Sequence, residues 1–153
     1  MTSVTPCIWV FTDIDEVVAY YAGAFPGLKT ESVSRMPDGS AALATVEIAG
    51  QRLMLLRGGP QPFAFSEAVS FFVGCQGQAE VDRYWDYLTA GGGEESMCGW
   101  LKDRYGMSWQ IVPRELEEMM GGDDPGKVQR MIQAMLQMRK LDIAGLRAAY
   151  DAA

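Results

Sequence analysis

Apolar residues in the first part of the chain form several short runs and, after the first run, one stripe at helical spacing. Turn residues separate these segments. The run at 4–11 is rich in β-forming residues and predicts a strand. Thr12 or Asp13 then starts a helix, because apolar positions recur at helical spacing as far as Phe25. Turn residues divide the following segment into three predicted strands, at 29–36, 41–48 and 51–57.

The second part of the chain repeats this order in fewer residues. An apolar strand is predicted at 68–75, a helix at 78–89, and two strands at 96–102 and 107–112. Two local matches support a true repeat, since they occur in the same order as the predicted elements. They pair 15–21 with 79–85, and 50–55 with 106–111.

This duplication predicts one α+β domain over 1–153. Its parts are a first module at 4–60, a second module at 66–113, and a C-terminal helical extension at 114–153. In the extension, Asp124 followed by Pro125 is typical of a helix start. Apolar positions from 128 to 136 and from 143 to 150 form a stripe that must be buried. The stripe can cover its own sheet or a partner subunit, and the pattern leaves both open.

Charge and cysteine usage narrow the class of protein. The formal net charge is −7, which disfavours binding to nucleic acid and to anionic membranes. The N-terminal segment lacks the basic residues of a signal peptide, and no apolar run reaches the length of a membrane span. The three cysteines are far apart, as expected of reduced thiols in a cytoplasmic protein.

Histidine is absent from the chain. Its absence removes the commonest general base and the commonest metal ligand. Serine–histidine–aspartate, cysteine–histidine and histidine-ligated zinc mechanisms are therefore excluded within one chain.

Several segments resemble a known family. They are ThrProCysIleTrp at 5–9, the glycine-rich segment at 50–60, GluValAspArgTyrTrp at 80–85, CysGlyTrpLeuLysAsp…TrpGlnIleValPro at 98–113, and MetArgLysLeuAspIleAlaGlyLeu at 138–146. Together they resemble the PhnB-like, demethylubiquinone-methyltransferase-like branch of the glyoxalase, bleomycin-resistance and dihydroxybiphenyl-dioxygenase superfamily, which has the vicinal oxygen chelate fold.

The resemblance implies two βαβββ modules with mainly antiparallel curled sheets around a cavity, and a homodimer. It does not imply a settled activity. S-adenosylmethionine usually sits on a glycine-rich loop after the first strand of a doubly wound sheet. Here that strand leads into Thr12 and Asp13 without a glycine, so methyl transfer is not expected.

The resemblance also implies where metal ligands would stand in each module. The positions that correspond in this chain are Pro6 or Cys7, Met54, Ser70 and Gln110. Proline cannot ligate, and a thioether and a hydroxyl are poor ligands for hard divalent cations. No metal is therefore expected, and a glyoxalase or ring-cleaving dioxygenase activity is disfavoured.

The same positions and their neighbours are candidates for a pocket that binds a small, partly apolar molecule without a cofactor. Strand alternation places Trp109 and Gln110 on opposite faces, and Gln110 is expected to face inward. The pocket candidates are Cys7, Trp9, Met54, Ser70, Phe72, Trp100 and Gln110.

Two other functions stay open at this level. One is an enzyme of the vicinal oxygen chelate class. It would use metal ligands at positions other than the four named above, or it would work without metal through Asp103 or Glu47. Both carboxylates are expected to be exposed, however. The other is an interaction module that binds a protein through its C-terminal helices. Neither the identity of the ligand nor the occurrence of any reaction can be predicted from these patterns.

Overall fold

The computed structural model describes all 153 residues. The chain forms two compact units, Met1–Phe63 and Ala64–Ala153. No helix in the chain has both the length and the apolar character needed to cross a membrane.

The first unit holds one helix and a four-stranded sheet. Its elements are β1 (Cys7–Val10), α1 (Ile14–Ala24), β2 (Lys29–Arg35), β3 (Ala41–Ile48) and β4 (Gln51–Arg57). The strand order is β1-β4-β3-β2, with β1 parallel to β4 and the other pairs antiparallel. The predicted strand–helix–three-strand order is confirmed.

Local chemistry explains where α1 begins and which face it buries. The Asp13 carboxylate accepts a hydrogen bond from the Asp15 N–H at 2.8 Å, which satisfies one free amide of the first turn. Ile14 and Val17 are buried on one side of the helix. They lie on the sheet face that carries the buried side chains of β3 and β4, namely Ala44, Val46, Leu53 and Leu55.

The second unit repeats this plan. Its elements are β5 (Ser70–Cys75), α2 (Gly77–Thr89), β6 (Glu94–Glu95), β7 (Trp100–Lys102) and β8 (Ser108–Pro113). The strand order, β5-β8-β7-β6, is that of the first sheet, again with one parallel pair at the edge. The identical order of the two sheets supports the duplication that the sequence predicted.

The strand predicted at 96–102 differs in the structure. It is interrupted, because Cys98 and Gly99 have positive φ angles of 59° and 82°. This left-handed turn separates β7 from the short strand β6, which lies earlier than expected. A non-glycine residue with positive φ is uncommon, so the sequence pattern does not reveal the break.

Three helices follow β8 and pack on the second module. They are α3 (Arg114–Met120), α4 (Pro125–Met135) and α5 (Ile143–Asp151). The Asp124 carboxylate caps α4 before Pro125, as predicted. The apolar stripe of the extension covers the chain's own module, in a buried cluster made of Val112, Leu116, Met119, Met131, Leu141 and Leu146.

Hydrogen bonds also tie the segment between α4 and α5 to the second module. The Gln78 Nε2 donates to the Leu141 carbonyl at 3.0 Å, and the Ile143 N–H donates to Gln78 Oε1 at 2.9 Å. One side chain of α2 thus satisfies two backbone groups of the extension. The extension is therefore an integral part of the second unit.

Candidate functional site

One face of the second sheet is only partly covered and carries most of the candidate residues of this module. The other face packs on α2, where Trp109 and Ile111 are buried. Because β5 and β8 are parallel and in register, Ser70 lies beside Ser108 and Phe72 lies beside Gln110 on the open face.

Gln110 and Ser70 meet directly on this face. The Gln110 Nε2 donates a hydrogen bond to the Ser70 Oγ at 2.9 Å. Trp100 stands opposite Gln110 on the neighbouring strand and is half-buried, whereas Phe72 is 52% exposed. The second module therefore presents two aromatic side chains around a polar pair.

A cavity of about 300 Å³ opens beside β7. Trp100, Met97 and Leu101 are among its apolar lining residues. One polar group stands out, because the Ser108 Oγ is buried and has no hydrogen-bond partner within the chain. The residues that line the cavity are Glu67, Ser96, Met97, Cys98, Trp100, Leu101, Lys102 and Ser108.

An ion pair stands among these lining residues. The Lys102 Nζ lies 2.7 Å from the Glu67 Oε1, and the two side chains are 36% and 61% exposed. Their hydrogen bond raises the pKa of Lys102 and lowers the pKa of Glu67 from their ordinary values. Both groups are consequently charged at neutral pH, and the lysine charge is already balanced.

The C-terminal extension holds the loop that borders the cavity. The Cys98 N–H donates to the Met138 carbonyl and the Gly99 N–H donates to the Arg139 carbonyl, each at 2.8 Å. Leu141 packs directly against Gly99, since a Cβ built on that glycine would lie 3.0 Å from the leucine Cδ1. The left-handed turn that shapes the cavity wall is thus supported by residues 138–141.

Asp103 is buried in the turn between β7 and β8, which corrects the expectation of a solvated charge cluster. It is only 2% exposed. Its Oδ1 accepts hydrogen bonds from the Tyr105 and Met107 N–H groups at 2.9 and 3.1 Å, and its Oδ2 accepts from the Trp109 indole at 2.9 Å. The carboxylate therefore organises the turn and does not face the cavity.

Glu47, the other carboxylate considered for catalysis, lies in an ion pair near the surface of the first module. Its Oε1 is 3.3 Å from the Lys29 Nζ on the neighbouring strand, and its side chain is 34% exposed. This arrangement is typical of a cross-strand charge pair. It supplies no enclosed setting for acid–base chemistry.

The first module brings its own three candidates to one face of its sheet. Cys7 is the parallel partner of Met54, and Trp9 lies two residues further along β1 on the same face. Cys7 is exposed, while Met54 and Trp9 are half-buried. The Trp9 indole donates to the Gly59 carbonyl at 3.2 Å, and its ring meets Phe63 edge-on at 5.5 Å.

Gly58 leaves the space that the Trp9 ring occupies. A Cβ at position 58 would lie 2.0 Å from the indole Cζ2, so Gly58→Ala must displace the ring. We expect this variant to lose about 1–3 kcal/mol of unfolding free energy, measured by urea denaturation. Gly27→Ala is the matched control, because a Cβ there meets no atom within 4 Å. Equal stability of the two variants would contradict this packing.

The side chains at the metal-ligand positions implied by the family do not suit a metal ion. In the first module these positions hold Pro6, which cannot ligate, or the exposed thiol of Cys7, together with the thioether of Met54. In the second module they hold a hydroxyl and an amide, Ser70 and Gln110, which bond to each other. None of these groups is a carboxylate or an imidazole, and the single exposed thiol of Cys7 is the one group among them that is a usual ligand of a borderline cation such as zinc.

Of the eight lining residues, only Trp100 was among the pocket candidates; the other seven are Glu67, Ser96, Met97, Cys98, Leu101, Lys102 and Ser108. Ser108 could have been found from strand alternation, because it lies two residues before Gln110 on the same strand. Leu101 and Lys102 lie on β7 next to Trp100, whereas the remaining four residues lie outside the strands. Their approach to β7 depends on the loop conformation, for which the sequence has no periodic signal.

Comparison with known proteins identifies a matching family and solved structures with a similar fold. The family model described as 3-demethylubiquinone-9 3-methyltransferase matches residues 2–112. Comparison with curated proteins found no match. Among solved structures, the PhnB protein from Bacillus cereus is similar with a TM-score of 0.67 and 26% identity, covering 73% of this chain and 99% of that one.

Two further structures share the fold at lower identity. Protein PA1353 from Pseudomonas aeruginosa has a TM-score of 0.58 at 18% identity, covering 74% of this chain and 98% of that one. The fosfomycin resistance protein FosX from Listeria monocytogenes, complexed with Mn(II) and sulfate, has a TM-score of 0.53 at 18% identity, covering 71% of this chain and 88% of that one. With its two βαβββ modules and a family match over most of its length, the chain belongs to the 3-demethylubiquinone-9 3-methyltransferase family, within the vicinal oxygen chelate superfamily.

Proposed function

We propose that the protein is a metal-free binding protein that captures a small, partly apolar molecule, and that it acts as a cytoplasmic homodimer without a cofactor. The observation that supports this most is the cavity of about 300 Å³ beside β7. Its wall combines Trp100, Met97 and Leu101 with a few polar groups, which is the usual composition of a small-molecule site.

Capture fits the chain better than the methyl transfer for which the family is named. Each sheet has four strands in mixed orientation, and neither is the doubly wound parallel sheet on which nucleotide-like cofactors commonly bind. The first strand also passes into α1 through Phe11, Thr12 and the capping Asp13, without a glycine. Function follows the site rather than the family's name.

A thermal-shift screen of the full chain with uncharged aromatic compounds tests capture. A compound at 100 times its Kd is expected to raise the unfolding midpoint by about 5–10 °C, because it binds only the folded state. Trp100→Ala is expected to reduce this shift, since Trp100 forms part of the cavity wall. Leu136→Ala is the matched control, because Leu136 lies after α4 and is 46% exposed.

Either of two results of this screen would contradict the proposal that the protein captures a small molecule. One is that no compound raises the unfolding midpoint of the unaltered chain. The other is that Trp100→Ala and Leu136→Ala respond equally to every compound that does raise it.

The homodimer is proposed because each sheet ends in edge strands. All seven residues of β2 are exposed, and edge strands with free backbone groups are commonly covered by pairing or by another element. Sedimentation of the full chain at micromolar concentration is expected to yield twice the chain mass of 16.8 kDa. A single species at the chain mass would contradict the dimer and leave capture by one chain intact.

A further inference from the structure

We infer that the cavity beside β7 selects an uncharged molecule of about one aromatic ring that carries a hydroxyl group, and that this hydroxyl bonds to Ser108. The inference rests on the proposed function and names the chemical class of its ligand. Three observations carry it: the unpaired serine hydroxyl, the balanced lysine charge, and the size and lining of the cavity.

The Ser108 hydroxyl is the strongest of these observations. The residue is 0% exposed, and its Oγ is buried without a hydrogen-bond partner in the chain. A buried polar group without a partner costs stability, so most are satisfied by the protein, by water or by a ligand. Because Ser108 lines the cavity, a hydroxyl on a bound molecule can both donate to this oxygen and accept from it.

The charges around the cavity argue for an uncharged ligand. Lys102 is the cation of the lining, and the Glu67 carboxylate lies 2.7 Å from it. An anionic ligand would have to compete with Glu67 for the lysine, and a cationic ligand would have to compete with the lysine for Glu67. Neutral molecules avoid both costs.

The ion pair stands beside Ser108, whose side chain has no exposed surface. Lys102 is the cross-strand partner of Ser108, so the two side chains emerge from the same face of adjacent strands. Surface ion pairs of this exposure contribute little stability and open readily. The pair can therefore swing aside from the serine without disturbing the strands.

The volume of the cavity limits the size of the ligand that it can hold. A cavity of about 300 Å³ is at the lower end of the range for small-molecule sites, which suits a single ring with a short substituent. Trp100 offers an aromatic surface against which such a ring can pack, and Met97 offers an adaptable thioether.

Three matched probes test the inference: 4-ethylphenol, ethylbenzene and 4-ethylbenzoate. Their affinities are measured by NMR titration of the full chain, following the backbone amides of Gly99 and Leu101 beside the cavity. We expect 4-ethylphenol to bind about five- to tenfold more tightly than ethylbenzene, which corresponds to one hydrogen bond between neutral groups. We expect 4-ethylbenzoate to bind more weakly than 4-ethylphenol.

Ser108→Ala is the decisive variant. It should abolish the preference for 4-ethylphenol over ethylbenzene while leaving the thermal midpoint equal or higher, because it removes a buried hydroxyl that has no partner. Ser34→Ala is the control, since Ser34 is exposed on β2 and should retain the preference.

Three results would overturn the inference. They are an unchanged preference in Ser108→Ala, tighter binding of 4-ethylbenzoate than of 4-ethylphenol, and no binding of 4-ethylphenol at millimolar concentration. If 4-ethylphenol fails while other compounds of the thermal-shift panel stabilise the chain, this inference fails and capture stands. If every compound fails in both experiments, capture fails as well.

Discussion

Asp103→Ala is expected to lower the free energy of unfolding by about 3–5 kcal/mol. The alanine would remove the carboxylate to which the Tyr105 and Met107 N–H groups and the Trp109 indole donate. Each hydrogen bond to a charged group is worth more than one between neutral groups, and buried donors left without acceptors add their own cost. Urea denaturation of the variant and the unaltered chain measures the difference.

Asp103→Asn provides the matched control for this effect. It keeps the shape of the side chain and one acceptor oxygen, so it should lose roughly half as much stability as the alanine variant. The alanine variant should also weaken ligand binding, because the turn sets the relative positions of β7 and β8, which line the cavity. A loss below about 1 kcal/mol for Asp103→Ala would show that the turn does not depend on this carboxylate.

Leu141→Ala is expected to cost about 2–5 kcal/mol of unfolding free energy. Leu141 is 0% exposed within the apolar cluster that joins the extension to the second module, and it packs beneath Gly99. Removing its side chain leaves a cavity that a well-packed cluster closes only in part. Chemical denaturation measures the loss.

Leu136→Ala tests whether burial, and not the loss of a leucine, causes that effect. Leu136 belongs to the same extension but is 46% exposed, so its replacement should change stability by no more than about 0.5 kcal/mol. Hydrogen exchange adds a local measurement. In Leu141→Ala the amides of Cys98 and Gly99, which donate to Met138 and Arg139, should exchange faster relative to amides of the first unit. Equal costs for the two leucine variants would contradict the role assigned to the extension.

The order of the elements could be predicted because each depends on local patterning. Apolar positions at helical spacing predict α1 and α2, and Asp124 before Pro125 predicts the start of α4. The interruption between β6 and β7 could not be predicted, because it depends on the positive φ angle of Cys98, a residue type that seldom adopts one. The packing of the extension on its own module also lies outside the pattern, since an apolar stripe does not specify what covers it.

The candidate site was also predictable in part. The family resemblance placed Ser70 and Gln110 at two ligand positions of the second module, and the structure brings their side chains together at 2.9 Å. Burial of Asp103 was missed, because a carboxylate in a turn next to two cationic residues is usually solvated. Donors to its carboxylate lie two, four and six residues further along the chain. Only the folded turn directs them at one carboxylate.

The bonds between α2 and the C-terminal segment constrain how the protein folds as it is synthesised. The Gln78 side chain can form these hydrogen bonds only after the Leu141 carbonyl, 63 residues later, and the Ile143 amide, 65 residues later, have been synthesised. The first unit can collapse while the ribosome is still translating the rest, since domains fold in the order in which they emerge. The second unit cannot bury its apolar cluster completely until α5, which contributes Leu146, has left the exit tunnel. A chain that lacks α5 would therefore expose that cluster to chaperones and proteases.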